Sequence, residues 1–266
     1  MSYEIRQLSL GGVLDQAIAI VKNHFGVLLS IMLMLIVPFS LFFGFIILSK
    51  TPTLPPQPTQ EDVRRILEAQ QSHMPLFIGV GLLYAFLIYP LANAAVIQAV
   101  ARLYLGEEVT AVSAIQHAFR RFLPLVWTSI LMMVAIWVGF LLLIIPGIYF
   151  SIWFGLSQHV TVLENISGAA ALRRSKQLVN PLRGQFLALG IIVIAITMGI
   201  NWSANLIPQA HLRLVASSLL NSVSTILWTA ALVVFYFSAR CAVDNFDLDH
   251  LAESIGEDPA LEGVPG

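Results

Sequence analysis

Residues 122–163 read FLPLVWTSILMMVAIWVGFLLLIIPGIYFSIWFGLSQHVTVL, a run of 42 residues without one Asp, Glu, Lys or Arg. A helix crosses roughly 30 Å of hydrocarbon with about 20 mainly apolar residues, so the run holds two spans. The division falls at Leu143-Ile144-Ile145-Pro146-Gly147-Ile148-Tyr149, where glycine can take a positive φ and proline suits the first turn of a new helix. Pro146 and Gly147 are therefore the expected turn residues of a tight hairpin with spans at about 122–144 and 146–163.

Four further charge-free runs extend this pattern: 25–49 with Pro38 inside it, 75–101 with Pro90 and Asn93, 185–207 ended by Pro208, and 214–239. Composition agrees, since only 11% of the 266 residues are charged, 58% are hydrophobic, and mean hydropathy is +0.82. A soluble domain carries roughly 25% charge, and this chain has too little polar surface to cover one. The 16 Phe and 5 Trp with low charge are the reverse of a disordered composition. A formal net charge of −1 argues against a nucleic-acid partner. The reading is an all-α integral membrane protein with a six-span domain over 1–240 and an acidic tail over 241–266.

Six spans put both termini on one side, and basic residues select the side because Lys and Arg are retained in cytoplasmic loops. With the N-terminus cytoplasmic, that side holds Arg6, Lys22, Arg102, Arg120, Arg121, Arg173, Arg174, Lys176, Arg183 and Arg240. Lys50, Arg64, Arg65 and Arg213 remain outside. The cytoplasmic stretches before spans one, three and five share an amphipathic design. Leu10, Val13, Leu14, Ala17, Ile18 and Val21 form the first stripe. Val112, Ile115, Phe119, Phe122 and Leu123 oppose Gln116, His117, Arg120 and Arg121 in the second. Ala171, Leu172, Ser175, Leu178 and Val179 oppose Arg173, Arg174 and Lys176 in the third, with Glu164 and Asn165 near its start. The plan is three hairpins, each preceded by an interfacial helix with its apolar face toward the bilayer and its basic face toward anionic lipid. Arg120, Arg121, Arg173, Arg174 and Lys176 are the candidate headgroup contacts. Outside the membrane, Thr51 to Met74 is expected to be a proline-rich loop followed by a short helix, with capping-box spacing at Thr59 and Asp62.

Enzyme chemistry finds no foothold. The six histidines are scattered without ligand spacing, the lone Cys241 permits no intramolecular disulfide, and hydrolase, zinc-protease and phosphate-loop motifs are missing. No catalytic residue, metal or cofactor is expected. No charged residue lies mid-span, which argues against proton coupling. Asn93, Asn201, Asn205 and Asn221 are expected to join helices by hydrogen bonds, as is His159, while Pro38, Pro90 and Pro124 are expected kink sites.

The stretch Phe140 to Tyr149, the helix ending Val162-Leu163-Glu164, then Ser167-Gly168 and Ala171-Leu172-Arg173-Arg174-Ser175, resembles the membrane domain of bacterial glycerophosphoryl diester phosphodiesterases and related YciC-type inner-membrane proteins. The resemblance is strongest over 110–190 and implies a bacterial cytoplasmic (inner) membrane. In the fused phosphodiesterases a separate metal-dependent barrel does the chemistry, and here about 26 residues follow the last span. Trp153-Phe154 also stand where the family often has a basic residue. The expected role is non-enzymatic: organising membrane lipids, anionic phospholipid in particular, or a protein partner at the interfacial helices or acidic tail. The alternatives are a transporter or permease-like subunit for an apolar or amphipathic compound, and a membrane anchor for a separate enzyme.

Overall fold

The computed structural model describes residues 3, 5–50 and 59–244. The proline-rich loop at 51–58 and the tail beyond Asp244 lie outside the described residues. Those residues form helices with no β-strand among them: α1 Leu10–Asn23, α2 Phe25–Lys50, α3 Gln60–Leu83, α4 Tyr89–Tyr104, α5 Ala111–Arg120, α6 Phe122–Leu142, α7 Ile144–Phe154, α8 Ser157–Leu163, α9 Ala169–Val179, α10 Arg183–Trp202 and α11 Ala210–Asp244. Five helical segments are long and apolar enough to cross a membrane: Phe25–Ile47, Gln71–Tyr104, Phe122–Leu142, Ala169–Leu206 and Ala210–Asp244.

The expected span at 146–163 is not among the five, because the chain breaks between α7 and α8 at Gly155 and Leu156. The break is held from outside: the Leu156 amide donates to Ser175 Oγ at 3.1 Å, and Ser175 Oγ donates to the Trp153 carbonyl at 2.7 Å. One buried hydroxyl on α9 thus satisfies two of the backbone groups that the interrupted helix leaves open, and Ser157 Oγ donates to another, the Phe154 carbonyl, at 2.7 Å.

The break between α6 and α7 falls at Leu143, and Pro146 and Gly147, the expected turn residues, lie in the first turn of α7 instead. Leu143 is extended, and α7 starts at Ile144 with Pro146 in its first turn. Gly147 does not have positive φ. It is helical and buried, and a Cβ there would lie 2.5 Å from the Phe140 ring, so it lets α6 and α7 pack closely. Positive φ belongs instead to Gly106, at φ 85, and to Gly168, at φ 64, whose amide donates to Thr128 Oγ1 at 2.9 Å before α9 begins.

Other expectations shift similarly. The capping box at Thr59 and Asp62 is present, but the helix it starts continues through Pro75 into the apolar segment. A π-helical turn over Tyr84–Ile88 precedes Pro90, widening the helix where proline lacks an N–H and crowds the preceding turn. Pro124 lies in the first turn of α6, where no kink is needed. Glu164 and Asn165 end α8 rather than open α9, with Asn165 at φ 59 in a conformation asparagine tolerates.

Two helices form the centre. α4 is buried nearly all round from Pro90 to Tyr104, and α11 from Thr229 to Ala239. Ala92, Ala94, Ala95, Ala99 and Ala101 let α4 approach its neighbours closely, as small residues do between membrane helices. The stripes expected to face lipid divide. Val13 and Ala17 of α1, and Ala171, Leu172, Leu178 and Val179 of α9, are buried in the protein. On α5, Ala114 and Ala118 are buried while Val112 and Phe119 remain exposed, as does Leu123 in the first turn of α6.

Candidate functional site

One end of the bundle gathers most of the charge. Gln185, at the start of α10, donates to the Leu8 carbonyl at 2.9 Å, and the Leu8 amide donates to Ser238 Oγ on α11 at 2.9 Å. Tyr104 at the end of α4 stacks between Tyr3 and Phe237, with centroids 5.7 and 5.2 Å away. The N-terminal segment, the end of α4, the start of α10 and the end of α11 therefore meet.

The basic residues predicted to contact headgroups behave in three ways there. Arg174 is committed to the protein: its Nε donates to Glu164 at 2.8 Å and its two Nη groups to Asp244. Glu164 also accepts from Tyr236 at 2.9 Å, and Arg240 Nε donates to Asp244 at 3.3 Å, so α8, α9 and α11 are locked together. Lys176 stands over the Trp153 ring with Nζ 4.0 Å from its centroid. Arg120 and Arg173 are exposed and Arg121 half-buried, and none of the three has an ion-pair partner among the described residues. Pro146 and Gly147 lie at the far end of α6, where Leu141, Leu142, Leu143, Ile144 and Ile145 form an exposed, uncharged apex.

Between α4, α5, the end of α8 and α11 is a cleft of about 320 Å³. Gln98, Arg102, Glu107, His117, Asn165, Tyr236 and Arg240 provide its polar lining. Arg102 meets Glu107 through Nε at 2.6 Å. His117 Nε2 is buried without a hydrogen-bond partner among the described residues. Burial first, then the charges of Arg121, Arg102 and Arg120, hold His117 below the usual imidazole range. A larger groove of about 830 Å³ lies on the other side of the α4–α5 loop, where Glu107 and Glu108 join Asn23 and Tyr3 in its lining.

Deeper in the bundle a hydrogen-bond chain crosses four helices. Thr229 Oγ1 donates to Asn93 at 2.8 Å, Asn93 to Gln158, Gln158 to Ser129 Oγ at 3.1 Å, and Ser129 to the Leu125 carbonyl at 2.8 Å. All four side chains are buried. Asn201 likewise joins Ser224 at 2.8 Å, whereas Asn205 and Asn221 are exposed. His159 corrects its expectation: it is 2% exposed, and neither ring nitrogen has a partner among the described residues. The described residues contain no group of three or more potential metal ligands.

Sequence reasoning counted Arg102 and Arg240 as topology signals and missed the cleft. A usable signal was present: Gln98 and Arg102 on α4, and Tyr236 and Arg240 on α11, are each polar pairs at i, i+4 closing an apolar helix. No family model, curated protein or solved structure matches the chain.

Proposed function

We propose that the chain is a six-span, non-enzymatic protein of a bacterial cytoplasmic membrane, with both termini cytoplasmic, that holds anionic phospholipid at its inner face. The observation carrying this reading is the division among its arginines. Arg174 and Arg240 are tied to carboxylates, while Arg120, Arg121 and Arg173, at the same end, have no such partner among the described residues. Guanidinium groups at headgroup level with no protein counter-ion suit phosphate. The exposed Val112 and Phe119 on α5 and Leu123 at the start of α6 would sit in the acyl boundary beside them.

Six crossings are supported by where α10 begins. Its first turn is tied through Leu8 to the end of α11, so a chain that crosses in α6 must return through α7 and α8. The sidedness of Lys and Arg supports the orientation, and the resemblance to the phosphodiesterase membrane domain supports the choice of membrane. The test is native mass spectrometry of lipids retained by the protein and by an Arg120→Gln, Arg121→Gln, Arg173→Gln variant that leaves Arg174 in place. The variant is expected to lose most of its anionic lipid; equal retention would overturn the reading.

A transporter-like reading ranks second, favoured by the broken helix and the four buried polar residues of α8: Ser157, Gln158, His159 and Thr161. Discontinuous helices with polar interiors build substrate paths in transporters. Proteoliposome flux of an amphipathic compound that disappears in Asn93→Ala would promote this reading over the first.

A further inference from the structure

The cleft between α4, α5, α8 and α11 uses residues that the lipid-holding reading does not need, and its chemistry is narrower than a basic surface. Arg102 engages Glu107 through Nε only, leaving its two Nη groups uncommitted among the described residues. His117 lines the same space, and its Nε2 is buried without a hydrogen-bond partner among the described residues. Arg240 approaches from α11, while Gln98 and Asn165 add neutral polar groups. Glu107 is the one carboxylate in the lining, and Arg102 neutralises it. Arg120 and Arg121 lie close enough to act on His117, and the carboxylates bonded to Tyr236 and Arg240, Glu164 and Asp244, are each paired with Arg174. Leu105, Val162 and Leu163 give the cleft an apolar wall.

We propose that this cleft is a discrete binding site for a phosphate group, supplied either by an anionic lipid headgroup or by free phosphate. Arg102 on α4 and His117 on α5 supply the donors, while Arg240 on α11 is tied to Asp244 and contributes its charge. Arginine presents a planar fork that matches phosphate oxygens, and such charge-assisted bonds are roughly twice as strong as neutral ones. A phosphate accepting from His117 Nε2 would also relieve the unmatched buried nitrogen. The lipid source rests on the orientation proposed above, whereas the phosphate chemistry does not.

The test is calorimetric titration of the delipidated protein in mild detergent with dihexanoyl phosphatidylglycerol and, separately, with inorganic phosphate. Saturable binding is expected, weakened at least about tenfold by Gln98→Glu and by the pair Arg102→Gln with His117→Gln, and unchanged in Arg213→Gln. Gln98→Glu places a negative charge in the cleft at i, i+4 from Arg102 without removing any donor, so its effect does not depend on the other variants folding. Phosphate that displaces the lipid, with the same sensitivity to these variants, identifies free phosphate as a source; a lipid that phosphate does not displace identifies the headgroup. Loss of binding in Arg173→Gln with none in Gln98→Glu overturns the cleft and retains the diffuse lipid surface. Lipid binding indifferent both to the cleft variants and to the Arg120, Arg121 and Arg173 changes overturns the cleft and the wider reading together.

Discussion

Gln158 and His159 are neighbours in α8, both buried, and opposite in their hydrogen bonding. Gln158 joins Asn93 to Ser129, while both His159 nitrogens are unmatched among the described residues. Removing one member of a satisfied buried set leaves its partners open, at about 1–2 kcal/mol, whereas replacing an unmatched polar group by an apolar one is neutral or favourable. Asn93→Ala should therefore lower the thermal unfolding midpoint in detergent, and His159→Leu should leave it unchanged or raise it. His117 adds a pH dependence. Its imidazole, held below the usual range by burial and by Arg121, Arg102 and Arg120, is more readily protonated in the unfolded chain than in the folded one. Its effect on stability is small above the ordinary imidazole value of about 6.5 and becomes unfavourable as pH falls through that value. His117→Gln should flatten the fall in unfolding midpoint between about pH 7 and 5. An identical pH profile in the variant would show that other groups control it.

The α7–α8 break shows what an element owes to residues distant from it in sequence. Ser175 is 19 positions beyond Leu156, and its hydroxyl bridges the Leu156 amide and the Trp153 carbonyl. Ser175→Ala would leave both backbone groups buried and open, costing roughly 1–3 kcal/mol. The Leu156 amide should then exchange hydrogen faster while amides in α4 keep their protection. At the hairpin turn, Gly147→Ala would drive a Cβ into the Phe140 ring and should cost roughly 1–3 kcal/mol through overpacking. These cases mark what was legible. The turn at Leu143 announces itself locally, because proline shapes the backbone it sits in, as does the cap at Thr59 and Asp62. The break at Gly155 does not, since its support comes from α9. The cleft was hidden for the same reason: Arg102, His117, Asn165 and Arg240 belong to segments that only the tertiary fold brings together.

At the scale of the whole molecule, the open quantity is the number of crossings. Five segments are long, apolar and continuous enough to qualify, and α7 with α8 is interrupted and carries Ser157, Gln158, His159 and Thr161, although it holds no charge. If the pair crosses, the apex at Leu143 and the segment between α10 and α11 share the outer side, and the α5 and α10 starts share the inner one. Cys241 makes this measurable, being the sole cysteine. In a Cys241→Ser background, single cysteines replacing Thr59, Gln209, Thr110 and Arg183 would be probed with a membrane-impermeant maleimide on intact spheroplasts. Thr59→Cys and Gln209→Cys should label at once, and Thr110→Cys and Arg183→Cys only after permeabilisation. Thr59 and Gln209 labelling on opposite sides would mean an odd number of crossings between them and remove the six-span reading. The reverse pattern at all four positions would keep six spans but turn Arg120, Arg121 and Arg173 outward, away from the inner-leaflet lipids that the proposed function assigns to them.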